Sequence, residues 1–224
     1  MSRVVPPSST TADDESAVAI DGRPLGRRAQ ATRQRLLDAT RELLGEHGIR
    51  DLRVVDIARH VGTSPATFYQ YFRDVEEAVL TLSEGLGDDL HPLIELLDEP
   101  LRGKHGLDTA CRLMDQFISY WDQHRAVLRV RNLAAEEGDA RFREVRNRTL
   151  GAVTEALRRQ IADQQAAGRV DAEVSPYTAA AGLVAMMERM AAHHLDLEPR
   201  GTTRSDIVET IGRIIHQTVT GRRG

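Results

Sequence analysis

Cysteine, lysine and tryptophan each occur once in the 224 residues. The lone Cys111 excludes an intrachain disulfide and any multi-cysteine metal site. With Lys104 the only lysine, every other basic side chain is arginine, so a phosphate contact would be made largely by a forked, permanently charged guanidinium. Aromatics make up only 4% of the chain, which leaves Leu, Val, Ile, Ala and Met to build the core. Strand formers are scarce while Ala, Leu, Arg and Glu abound, and that balance predicts an all-α protein. The longest apolar run, Ala179–Met187, ends at Glu188 and is far short of the ~20 residues that cross a bilayer. No charged-then-apolar leader opens the chain. The expectation is a soluble cytoplasmic protein with no membrane partner. Its net charge of −4 confines any nucleic-acid contact to a local basic surface.

What is present divides along the chain. Residues 1–24 hold three of the eight prolines, a Ser-Ser-Thr-Thr run and the acidic Asp13-Asp14-Glu15, and read as a flexible tail. A first helix is predicted over Ala29–Glu46, with Leu36, Leu37, Thr40, Leu43 and Leu44 on one face and Gly48 after it. A second spans Val54–Val61. Gly62-Thr63 breaks it, Ser64 caps the next, and Pro65 suits that helix's first position. The third is short, Pro65–Tyr71. A fourth runs from Val75 towards Leu90, is interrupted near Pro92 and continues to about Leu97. Further helices are predicted over Leu107–His124, Ala126–Glu136, Ala140–Ala167, Pro176–Leu195 and Ser205–Thr220, about nine in all.

The second and third helices form a helix-turn-helix unit, whose second helix enters the major groove. Thr63, Ser64, Pro65, Ala66 and Thr67 are the small and polar groups such a helix presents to base edges, and its N-terminus offers free N–H groups to a phosphate. Half of the phenylalanines and half of the tyrosines crowd into the following FYQYF. Phe68 and Phe72, four apart, share a core face; Tyr69 and Tyr71 do not.

Residues 52–80, LRVVDIARHVGTSPATFYQYFRDVEEAVL, resemble the DNA-binding motif of TetR-type transcriptional regulators, with Ile57-Ala58, Gly62-Thr63-Ser64 and the Tyr69-Gln70-Tyr71-Phe72 ending. Basic residues ahead of LLDATRELLGEHG match as well. The resemblance implies a helix-turn-helix DNA-binding domain over residues 25–74 and a larger helical effector-binding and dimerisation domain over 75–224. It implies that Tyr69 and Tyr71 contact the phosphate backbone. Two departures stand out: Arg53 where the family often has Thr, and Val75 where it often has Lys. Backbone affinity is therefore expected to lean on Arg27, Arg28, Arg33 and Arg53. The implied partners are a double-stranded operator, a second copy of the chain and a largely apolar effector, and the implied role is that of a ligand-responsive repressor. The alternative is a small-molecule-binding or scaffold protein of the same fold.

For the effector pocket the candidates are Met114, Phe117, Tyr120, Trp121, Phe142, Met186, Met187 and Met190, adaptable or aromatic groups on three helices. Each taken alone reads more simply as core. The last two helices supply the expected dimer interface, with Ala181, Val184 and Ala185 on one and Ile207, Ile211, Ile214 and Ile215 on the other. His193-His194 with Asp196 lacks chelating geometry, since neighbouring helical side chains diverge by about 100°, and no metal is expected. Cys111 sits on an apolar stripe and reads as a small buried hydrophobe. No phosphate loop, H-E-x-x-H, nucleophile elbow or carboxylate pair is present. Neither a cofactor nor an enzymatic activity is expected.

Overall fold

The computed structural model describes residues 25–221; the expected tail, 1–24, lies outside them. The described residues form nine α-helices and no strand. In chain order they are α1 (Arg27–His47), α2 (Val54–Val61), α3 (Pro65–Phe68), α4 (Val75–Glu84), α5 (His91–Glu95), α6 (Gly103–Glu136), α7 (Ala140–Ala166), α8 (Pro176–Leu197) and α9 (Arg204–Thr220). A 3₁₀ segment, Gly85–Leu90, joins α4 to α5.

The helix ends follow local chemistry. Asp74 caps α4 by accepting from the Glu77 N–H at 2.8 Å. Thr203 and Asp206 form a reciprocal capping box at the start of α9. Gly62 ends α2 at φ 73°, ψ 36°, a left-handed conformation that costs glycine no steric strain.

The longest helix, α6, differs from expectation. A single helix of 34 residues replaces the two predicted over Leu107–His124 and Ala126–Glu136. The polar Gln123-His124-Arg125 stretch looks like a break, but the His124 and Arg125 side chains are engaged by neighbours. Arg125 donates to the Ala192 carbonyl at 2.8 Å and to Asp122 at 2.6 Å. His124, buried, lies 3.0 Å from Asp89 of the 3₁₀ segment, within ion-pair range though without an aligned hydrogen bond. Nothing between Leu107 and Glu136 lacks an N–H or requires a special φ, so the backbone ladder continues.

Around α6 pack α7, α8 and α9, and α1 and α4 also lie against it. The buried apolar side chains form one cluster from Leu36 to Val219. Gln160 on α7 ties in the chain after α5: its amide donates to the Leu97 and Glu99 carbonyls at 2.9 and 2.8 Å and accepts from the Leu101 N–H.

The isoleucine stripe of α9 largely faces inward. Ile207, Ile211 and Ile215 are buried within the chain, as is Val184 on α8, because α9 lies along α6. Of the side chains expected at a dimer interface, Ala185 and Ile214 are exposed and Ala181 is half-buried. Where α9 crosses α6, Gly212 meets the half-buried Cys111, and a Cβ at Gly212 would lie 2.8 Å from the Cys111 Cα. Backbone cannot rotate away as a side chain can. Gly212→Ala is expected to lower stability by about 1–3 kcal/mol, the usual cost of overpacking; an unchanged denaturant midpoint would show that the crossing has slack.

Candidate nucleic-acid interface

The helix-turn-helix is built from one turn of helix set on a rigid base. Four residues cannot hold a helix alone. Phe68 and Phe72 are almost fully buried, their rings 5.4 Å apart, and each contributes about 1.5–3 kcal/mol by leaving water. The Ser64 hydroxyl accepts from the Thr67 N–H at 3.2 Å, and Pro65 occupies the first helical position. The helix ends at Phe68 rather than at Tyr71. Tyr69 to Tyr71 instead form a turn, closed by the Phe72 N–H donating to the Phe68 carbonyl at 3.0 Å.

Arg35, which the sequence reading passed over, donates to the Val61 carbonyl and so fixes the end of α2 to α1. Its neighbourhood forms a shallow groove of about 370 Å³, lined by Arg28, Ala29, Thr32, Arg35, Gly62, Thr63, Thr67 and Tyr71. Four of the predicted DNA-contacting residues therefore share one groove: Arg28, Thr63, Thr67 and Tyr71. Ser64, Pro65 and Ala66 are exposed beside it. Tyr69 is 52% exposed, its ring edge-on to Phe68. Arg27 and Arg53 are exposed, Arg53 immediately before α2. Arg33 is placed differently from expectation. It is half-buried with its guanidinium 5.2 Å from the Phe72 ring centroid. Burial lowers its pKa, and Glu84 and Glu77 of α4 oppose that shift. Arg33 thus braces the head against α4.

A second concavity, about 1280 Å³, opens between the C-terminal end of α1 and the faces of α6 and α8, with Arg146 of α7 contributing. Of the expected pocket residues, Trp121 alone borders it. Met114, Phe117, Tyr120, Phe142 and Met187 are buried in the core; Met186 and Met190 are half-buried. Along its wall runs an ionic group absent from the sequence reading. Glu188 on α8 accepts from Asn132 at 3.0 Å, from Arg131 at 3.4 Å and from Arg146 at 3.0 Å. Arg131 is fully buried and Glu188 is 6% exposed. A signal existed: Arg131 continues the buried positions Trp121, His124 and Leu128 of α6, and Glu188 lies among Val184, Met187 and Ala191 of α8. A charge on an apolar stripe demands a partner. The two adjacent histidines diverge: His193 pairs with Asp196 at 2.9 Å, while His194 is buried against the Ala191 carbonyl.

Two family models match the chain: "Bacterial regulatory proteins, tetR family" over residues 36–79, and "Tetracyclin repressor-like, C-terminal domain" over 93–224. Solved structures share the fold. A TetR/AcrR-family transcriptional regulator from Thermobifida fusca is 22% identical, over 83% of this chain and 97% of that one, with a TM-score of 0.61. The fatty acid degradation regulator FadR from Bacillus halodurans is 15% identical, over 86% and 96%, at 0.62. FadR from Bacillus subtilis, solved with stearoyl-CoA, is 14% identical, over 83% and 98%, at 0.63.

The Ser64 cap generates a local test. Ser64→Ala is expected to cost about 1 kcal/mol and to raise amide exchange at Thr67 and Phe68 while leaving α6 unchanged. Equal exchange in both proteins would show that the two phenylalanines hold the turn unaided.

Proposed function

The chain belongs to the TetR family of bacterial regulatory proteins, and from that membership we propose that it acts as a homodimeric repressor released from its operator by a small molecule. Membership makes it a DNA-binding transcriptional regulator whose helical domain responds to a ligand; it is a family of regulators rather than enzymes. Dimer, operator geometry and effector are the proposed parts. Among the described residues no helix is long and apolar enough to cross a membrane, and a regulator of this kind works in the cytoplasm beside the DNA.

One observation carries the mechanism. The large cleft has one wall on α1, in the DNA-binding head, and the others on α6, α7 and α8. A molecule seated there touches both parts at once. It can therefore bind two relative placements of the head with different affinity, which is the only way a ligand shifts such an equilibrium. In a dimer the two α3 turns must reach grooves about 34 Å apart, and a shift of the head on α6 changes that spacing. Trp121 borders the proposed effector site, with Met186 and Met190 of α8 half-buried nearby in the chain and the remaining expected pocket residues forming the core behind it. The proposed dimer contact uses the exposed faces of α8 and α9, including Ala181, Ala185 and Ile214.

DNA contacts are assigned to the Arg28–Thr63–Thr67–Tyr71 groove, to Ser64, Pro65 and Ala66 at the turn, and to Tyr69, Arg27 and Arg53 at its edges. Tyr69→Ala is expected to weaken operator binding about tenfold or more with helicity unchanged; wild-type affinity would remove Tyr69 from the contacts. Arg28→Ala should reduce the slope of log affinity against log salt by about 1. Arg33→Ala should lower stability and leave that slope unchanged, and a slope altered as in Arg28→Ala would return Arg33 to the DNA face. Light scattering at micromolar concentration should give a dimer and Ile214→Glu a monomer. A monomeric wild type would overturn the operator model.

A further inference from the structure

The ionic group in the cleft wall is out of balance. Glu188 supplies one carboxylate to two guanidiniums, Arg131 and Arg146. Nε of Arg146 is buried with no hydrogen-bond partner among the described residues, while the buried Arg131 guanidinium and Tyr120 hydroxyl lie against each other. Burial pushes the Tyr120 pKa up to about 12, so its hydroxyl keeps its proton and offers its oxygen to Arg131. The unmatched Arg146 Nε is a donor. The lining of the cleft itself is even, with six arginines and six acidic side chains. The excess positive charge arises because Arg131 and Arg146 share the one carboxylate of Glu188. An uncompensated buried cation is strongly unfavourable, and a guanidinium fork matches a carboxylate in shape as well as sign.

We propose that Arg146, with Arg131 buried beside it, forms the anion-binding end of the effector cleft, and that its ligand is a small monocarboxylate with an apolar body. This rests on the cleft being the effector site. Glu188 is the resident occupant: it shares its oxygens between the two arginines, and the ligand's carboxylate competes for the same donors. A monoanion matches the single excess charge, whereas a dianion would exceed it. The apolar body lies along Val130 and Leu133 of α6, with Trp121 and Val127 at the border of the cleft.

The test uses the full-length protein without DNA, titrated calorimetrically with 4-phenylbutyrate and with the neutral 4-phenylbutan-1-ol; quenching of Trp121 reports whether either enters the cleft. The carboxylate is expected to bind about tenfold or more tightly than the alcohol, as a charge-assisted pair requires. Arg131 is wholly buried, and its replacement risks unfolding. Arg146→Gln, partly exposed, is the working variant: it should abolish the preference and leave the alcohol's affinity unchanged. Glu188→Gln retains an oxygen acceptor and removes the competing charge, so it should tighten carboxylate binding severalfold. A merely structural Glu188 would give no such gain. Equal binding of acid and alcohol, a preference that survives Arg146→Gln, or weaker carboxylate binding in Glu188→Gln would each overturn the proposal. Such a failure leaves operator binding intact, whereas loss of operator recognition with the carboxylate still bound would overturn only the repressor reading.

Discussion

Helix α6 is the element on which the other positions depend. At 34 residues it spans roughly 51 Å, long enough to pack against the head at one place and α9 at another. It contacts α1, α4, α7, α8 and α9. Its side chains also make the polar ties: His124 reaches the 3₁₀ segment, Arg125 reaches α8, and Asp115 receives Arg204 of α9 at 2.8 Å. A break at residue 125 would uncouple these contacts. One rod lets the head and the helical domain share a continuous core.

Charge is distributed by burial. Exposed pairs such as Arg158 with Glu155 contribute little to stability because water competes for both groups. Arg131 and Glu188 have no such option, and each is the other's buried counter-charge. Burial lowers the Arg131 pKa, while Tyr120 and Glu188 oppose that shift. An arginine-rich chain suits this arrangement, since a guanidinium bonds several acceptors at once from a planar fork. Arg33 shows the same preference in the head, where it faces an aromatic ring and two acids.

Much of the head was legible in the sequence because its signals are local. Ser64 and Pro65 mark a start, Gly62 marks a stop, and spacing alone separates Phe68 and Phe72 from Tyr69. The limits of α2 agree with that reading to the residue. What the sequence hid was long-range. Whether Gln123-His124-Arg125 breaks a helix depends on Asp89 and on a carbonyl of α8. Whether the α9 isoleucines face a partner or their own chain depends on where α6 lies. Arg35 and Arg33 look alike on paper, yet one grips the end of α2 and the other an aromatic ring. The Arg131–Glu188 pair joins residues 57 apart in sequence, and only their positions on two apolar stripes hinted at it.

The contact between Gly212 and Cys111 has a mechanical meaning. Two helices with backbone at such close approach cannot slide past one another by a residue's rise without collision, so the crossing fixes the register of α9 on α6. Displacement must then be taken up elsewhere. The stretch from Gly85 to Arg102, with its 3₁₀ turn, the short α5 and the chain after it, is the most segmented part of the described residues. It is anchored to α7 by one glutamine, Gln160, through three backbone groups.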